Sequence, residues 1–427
     1  MDERNERPDR AGGTQLRRLL LCLDGVPYEV MYRAKQAGLF DAFNGPSQLL
    51  SPFPTMTNIA LAAMLRASPP PGYECRYFDR KTRSLRGGIQ KYIGRRTPDK
   101  LPSSYMDQLD YQEPLPFEYL VYVSPEAVWR ADMRRFRERF SRARPTRDYF
   151  GFLKGTDGLL HIRGAKPLET SLESLDKMLR EIQAGCGAET EVILFSDHGM
   201  SLRPHQRVNL QTHLRRCGYT ISDDLLEDNS RRKVVLPAFG LIGYAALFCC
   251  QEDAPALAEA AVSLEGVDFA IHRDGDAAMM VKCADGMARV SKTENEYGWL
   301  YRYEQIDGDP LQLGSIARSL NESGSVNQHG FASDQAWLAQ TGDHVYPDAL
   351  ANLYCALYAT RVINTADVLV SFQDGYYYGW EAFSRFVHLL GTHGNARRAS
   401  TSAFLMSTHR AFPKVVRGTE VQQFLRA

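Results

Sequence analysis

Short apolar runs alternate along the chain with apolar stripes of helical spacing, which predicts a largely parallel sheet covered by helices. Arg18–Leu23 is nearly all apolar and stops at Asp24-Gly25, as a strand buried on both faces would. Residues 119–123 read as a second strand. They lead into Ser124-Pro125, where Ser124 suits a helix cap and Pro125 the first helical position. Trp129, Met133, Phe136 and Phe140 recur at intervals of 4, 3 and 4, which puts one apolar stripe on the helix that follows. Residues 148–153 are a third strand. Leu168, Leu172, Leu175, Leu179 and Ile182 mark a second amphipathic helix, ended by Gly185. Residues 191–195 and 366–372 are further strands, and residues 59–65 a strong helix former. The stretch 266–346 is rich in Gly, Asp, Ser and Asn and weakly periodic, so it reads as an insertion or cap. Residues 1–15 read as a flexible lead-in to a single catalytic unit over 16–427.

Composition narrows the partners. The chain has 427 residues, 44% of them hydrophobic, with 51 basic against 51 acidic side chains. No overall field draws it to nucleic acid or to an anionic membrane, so attraction for an anionic substrate must be local. No apolar run precedes Leu19 as a signal peptide requires, and none is long enough to span a bilayer. The eight cysteines include no Cys-x-x-Cys pair, as expected of free thiols in a reducing compartment. The expectation is a soluble, cytoplasmic protein.

The chemistry collects where the strands end. In an open α/β sheet, ligands bind beyond the carboxyl ends of the strands. Asp24 follows the first strand, Ser196-Asp197-His198-Gly199 follows residues 191–195, and Asp157 and His161 follow residues 148–153 after a short Lys-Gly-Thr turn. Each has a plain structural alternative: a turn, a cap or an ordinary loop. Together they place three carboxylates and several imidazoles at one sheet edge. Without a cation, that packing costs several kcal/mol of charge repulsion and desolvation. Mixed Asp/His sets suit zinc, with manganese or iron as alternatives. Thr55, in Phe-Pro-Thr55-Met-Thr57-Asn58, lies at or just before a helix N-terminus, where free N–H groups favour an anion. The alternative is that Thr55 or Thr57 only caps that helix.

Leu-Asp24-Gly, Phe-Pro-Thr55, Asp157-x-x-x-His161, Ser-Asp197-His198-Gly-Met and Gly-Thr-His393-Gly occur in that order from position 24 to 393. The ordered set resembles the alkaline phosphatase superfamily, in its nucleotide pyrophosphatase/phosphodiesterase-like branch. The resemblance implies a three-layer α/β/α sandwich with a mostly parallel central sheet, and two divalent metal ions. Asp24, Asp197 and His198 would hold one ion, and Asp157, His161 and His393 the other. Thr55 would attack phosphorus and form a phospho-threonine intermediate. Phosphodiesters or nucleotide pyrophosphates would be the small phosphorylated substrates, with phosphomonoesters or phosphonates as alternatives, and a non-catalytic metal-binding protein further off. A sulfatase is not expected, because residues 54–58 lack the Cys/Ser-x-Pro-x-Arg motif.

One departure stands out. Many relatives place an Asn about 20 residues after the nucleophile to donate to a phosphoryl oxygen, and here the count reaches Cys75, a weak donor. Asn58, Arg76 and Lys154 are the candidate replacements. The remaining histidines read as surface or core. The aromatic cluster 374–380 offers either a stacking surface or rim packing.

Overall fold

The computed structural model describes residues 17–88, 104–114, 116–143, 147–187, 189–226, 231–358 and 361–426. The lead-in 1–15 lies outside them. In chain order the strands that matter are β1 (Arg18–Leu23), β2 (Ser47–Leu50), β3 (Tyr149–Leu153), β4 (Glu191–Ser196), β5 (Tyr244–Leu247), β6 (Val267–Asp274), β7 (Ala278–Cys283), β8 (Gly286–Asn295), β9 (Gly298–Asp307), β10 (Ala332–Ser333), β11 (Val368–Phe372), β12 (Ser402–Ser407) and β13 (Val415–Arg417). The helices are α1 (Thr57–Met64), α2 (Pro125–Ala143), α3 (Gly155–Arg163), α4 (Lys166–Cys186) and α5 (Ala349–Tyr358).

A six-stranded sheet runs β13-β2-β12-β4-β1-β3. β1 lies parallel to both β3 and β4, and β2 parallel to β13; β12 alone runs antiparallel to its neighbours. β1 is buried on both faces, so its apolar residues divide by the two-residue period of a strand. Leu19, Leu21 and Leu23 pack under α2 and α4, while Leu20 and Cys22 face a second layer with Ala60, Leu61 and Met64 of α1. Both expected stripes are buried where the spacing put them: Trp129, Met133, Phe136 and Phe140 on α2, and Leu168, Leu172, Leu175, Leu179 and Ile182 on α4.

A second, seven-stranded sheet runs β5-β11-β6-β7-β8-β9-β10, antiparallel throughout. The stretch 266–346 supplies β6 to β10, and β5 and β11 from outside that stretch extend the same sheet. The strand expected at 366–372 belongs here, as β11, rather than to the parallel sheet. α5 packs on this sheet in the largest hydrophobic core. Arg417 of β13 reaches Asp348 with 2.7 Å bonds and Asp334 as well, which ties the first sheet to the second.

One element differs in kind from the expectation. Residues 119–123 are not a strand; Phe117–Leu120 is a helical turn followed by a tight turn at 121–123. Its apolar side chains, among them Phe117, Val121 and Tyr122, line a cleft instead of entering a sheet. Apolarity alone cannot tell the two fates apart.

Candidate active site

Parallel pairing of β1 with β4 sets Leu23 against Ser196, so the residues that follow, Asp24 and Asp197, emerge side by side. The turns are glycine-dependent for a reason beyond conformation. Gly25 has φ +72°, and a Cβ there would sit 3.1 Å from Asp157 Oδ1; a Cβ on Gly199 would meet Ala399 O at 2.2 Å. Gly25 N–H donates to Asp197 Oδ1 at 3.1 Å and Val26 N–H to Ser196 Oγ at 2.9 Å, which fixes the two turns to each other. Asp157 and His161 are not in a loop. They lie four residues apart on α3, hence on one face, with His161 Nε2 3.1 Å from Asp157 Oδ1.

Each of the three histidines presents the same nitrogen. His161 Nδ1 donates to Gly391 O at 2.7 Å, His198 Nδ1 to Gly199 O at 2.9 Å, and His393 Nδ1 to Thr55 O at 2.6 Å. A carbonyl only accepts, so each Nδ1 carries a hydrogen and Nε2 is the nitrogen that faces the cluster. His198 Nε2 lies 3.4 Å from both Asp24 Oδ1 and Asp197 Oδ2, and His393 Nε2 lies 3.6 Å from Asp157 Oδ1. The His198 and His393 rings stack with centroids 3.9 Å apart.

Among the described residues, two groups could hold a metal ion: Asp24, Asp197 and His198; and Asp157, His198 and His393, the ligand atoms of each lying within 4.8 Å of one another. The first matches the set implied by the motifs. In the second His198 stands where His161 was expected, and His161 joins through its contact with Asp157. Asp24 Oδ2 and Asp197 Oδ2 are buried without a hydrogen-bond partner, the condition a cation corrects. The electrostatics agree. Burial, then the charges of Asp197 and Asp157, push the Asp24 carboxyl well up, against a smaller opposing pull from Lys154. Burial likewise raises Asp197. At Asp157 burial is outweighed by His161, followed by His393 and His198, and its carboxyl sits well below the usual range. Burial, with His198 beside it, drives His393 well down, which keeps the ring neutral and able to ligate.

The threonines are the main surprise. Thr55 is fully buried and its hydroxyl is taken up by backbone: it accepts from Gly394 N–H at 2.8 Å and donates to Asn395 O at 3.2 Å. Thr57, the first residue of α1, places Oγ1 3.3 Å from Asp24 Oδ1 and 3.3 Å from His198 Nε2. Neither threonine caps the helix, whose N-cap is Met56. The available signal was the helix start: a hydroxyl at the first helical position shares its space with the free N–H groups, whereas one two residues earlier need not.

Thr57, Asp157, His161 and His393 open into a cleft of about 380 Å³. Among the substrate candidates, Asn58, Cys75 and Lys154 line it, while Arg76 points elsewhere, to Asp223 at 3.3 Å. Asn58 directs its amide to Tyr73 O at 3.3 Å. The cleft also holds residues the motifs did not flag: Glu74, Glu113, and an apolar wall that includes Phe117, Tyr122, Leu241 and Phe383. Trp380, from the aromatic cluster, stands at its edge, 47% exposed. All eight cysteines are free, and among the described residues no helix is long and apolar enough to cross a membrane.

No family model and no curated protein matches the sequence. Solved structures do match. Phosphonoacetate hydrolase from Sinorhizobium meliloti, in complex with phosphonoformate, is 13% identical, with a TM-score of 0.50 over 96% of this chain and 95% of that one. Murine ectonucleotide pyrophosphatase/phosphodiesterase 5 is 11% identical, with a TM-score of 0.47 over 96% and 94%. At these identities the likeness is one of fold. The chain has the alkaline phosphatase-like α/β fold that its ordered motifs implied.

Proposed function

We propose that this protein hydrolyses phosphoester bonds, phosphodiesters foremost, at a two-metal site, with Thr57 rather than Thr55 as nucleophile. The observation that carries the reading is the Thr57 hydroxyl at 3.3 Å from both Asp24 Oδ1 and His198 Nε2, at the mouth of the cleft. Asp24, Asp157, His161, Asp197, His198 and His393 would hold two divalent cations, zinc suiting the mixed Asp/His set. Bound there, they would lower the hydroxyl's pKa and offset the charge of the phosphoryl oxygens. Thr57 Oγ1 attacks phosphorus as the ester oxygen departs, and water then cleaves the phospho-threonine to restore the hydroxyl. The N–H groups that open α1 face the incoming anion. The apolar side of the cleft gives an organic leaving group a place to sit, which favours a diester such as a nucleotide derivative over a bare monoester.

The test compares turnover of bis-p-nitrophenyl phosphate and p-nitrophenyl phosphate by the wild type, Thr57→Ala and Thr55→Ala, with metal content measured on each. The expected result is faster diester turnover and about two metal ions per chain. Thr57→Ala should lose about a thousandfold or more in kcat while keeping its metal. A fully active Thr57→Ala removes the nucleophile assignment, and a faster monoester reaction reverses the substrate class.

A further inference from the structure

The segment that delivers Thr57 is held from both sides, and one side belongs to the second sheet's lobe. On the metal side, Thr55 N–H donates to Gly394 O at 3.3 Å, and Thr55 O accepts from the ligand His393. On the far side, Asn352 of α5 donates its amide to Ser51 O at 3.0 Å and accepts from Phe53 N–H at 2.7 Å. Arg361 Nη1 donates to Phe53 O at 2.7 Å, to Asn352 Oδ1 at 2.7 Å and to Asn352 O at 3.0 Å. Asn352 is 6% exposed and turns both ends of its amide to the segment. A guanidinium that spends its donors on carbonyl oxygens of one short segment and of the side chain that grips it is placed to fix position. Arg361 and Asn352 also line a second cavity of about 350 Å³, behind the segment and lined by none of the ligand residues.

We infer that Arg361 and Asn352 are positioning residues, a clamp by which the second lobe holds residues 51–57 so that Thr57 meets the metal cluster. The inference rests on Thr57 being the reacting group. Holding a nucleophile to within a fraction of an ångström is worth up to about a hundredfold in rate. The clamp touches no substrate, so its loss acts on kcat and spares substrate binding.

The experiment uses the full chain: wild type, Arg361→Ala and Arg361→Lys, with bis-p-nitrophenyl phosphate as substrate and amide hydrogen exchange of residues 51–57 recorded in parallel. Arg361→Ala should lose about 10- to 100-fold in kcat, with KM within about threefold. Exchange at 53 and at 55–57 should quicken, while exchange at 191–196 stays unchanged. Because the truncated side chain leaves its space joined to the second cavity, millimolar guanidinium should restore part of the lost kcat, and Arg361→Lys should fall between. Unaltered exchange over 51–57 in Arg361→Ala overturns the clamp. So does a kcat loss that comes with equally quickened exchange at 191–196 and no rescue, since the role is then general stability. If the wild type turns over no phosphoester, the proposed function fails, and the exchange measurement still decides the clamp. Should Arg361→Ala not fold, Arg361→Lys carries both readouts.

Discussion

Two hydroxyls two residues apart have opposite fates, and the hydrogen-bond partners show why. Thr55 has both its donor and its lone pair engaged by the backbone of residues 394 and 395, so it acts as a cross-tie between the segment before α1 and the loop that carries His393. Thr55→Val keeps the shape and removes the hydroxyl, which strands a buried N–H and a buried C=O at a cost of about 1–3 kcal/mol. The expected outcome is a lower melting temperature and a partial loss of kcat, with Thr55→Ser close to wild type in both. A Thr55→Val protein as inactive as Thr57→Ala, yet equally stable, would return Thr55 to the chemistry.

At the scale of elements, the cluster depends on how strands and helices are placed. β1 and β4 are each followed by an aspartate, which their parallel pairing brings out at the same edge, and α3 carries Asp157 and His161 on one face. The cleft wall is tied down in a similar way. Glu74 accepts from Gly240 N–H at 2.6 Å, joining the loop before residues 76–79 to the wall at 239–242. Burial pushes its carboxyl up to about 7, despite the opposing bonds from Gly240 and Phe239. A carboxyl with a raised folded pKa holds its proton longer in the folded than in the unfolded chain, so stability falls as pH rises from the ordinary Glu range towards 7. Glu74→Gln removes that titration. Its melting temperature relative to wild type should therefore improve as pH rises from about 5 to about 7 and level off above that, as thermal melts at several pH values would show. A difference independent of pH would mean that Glu74 keeps its ordinary pKa.

At the scale of the whole molecule, a buried cluster of carboxylates and imidazoles lies at the end of the first sheet. Asp24, Asp157 and Asp197 are all buried within it. Anything that binds the folded chain alone stabilises it by mass action, about 2.7 kcal/mol at a hundred times Kd. Chelation should therefore lower the melting temperature by several degrees, and added zinc or manganese should restore it. A melting temperature indifferent to chelators would argue that no metal occupies the cluster. Two sets of contacts join the lobes: Arg417 reaches Asp348 and Asp334, and Asn352 with Arg361 holds residues 51–53.

The apolar periodicity by itself determined the buried strands β1, β3 and β4, the stripes of α2 and α4, and the sheet edge to which Asp24, Asp157 and Asp197 belong, because burial of alternate or helically spaced side chains is a local property of the chain. The order of short motifs added the fold and pointed to the six residues proposed as ligands. Tertiary structure decided what depends on partners far along the chain. Thr57 stands at the cluster because residues 394–395 take up Thr55. Arg76 turns out to Asp223, and Val121 and Tyr122 line a cleft instead of joining a sheet. Apolar pattern records which side chains leave water, while the direction of a hydroxyl, and which sheet a strand joins, follow from contacts between residues hundreds of positions apart.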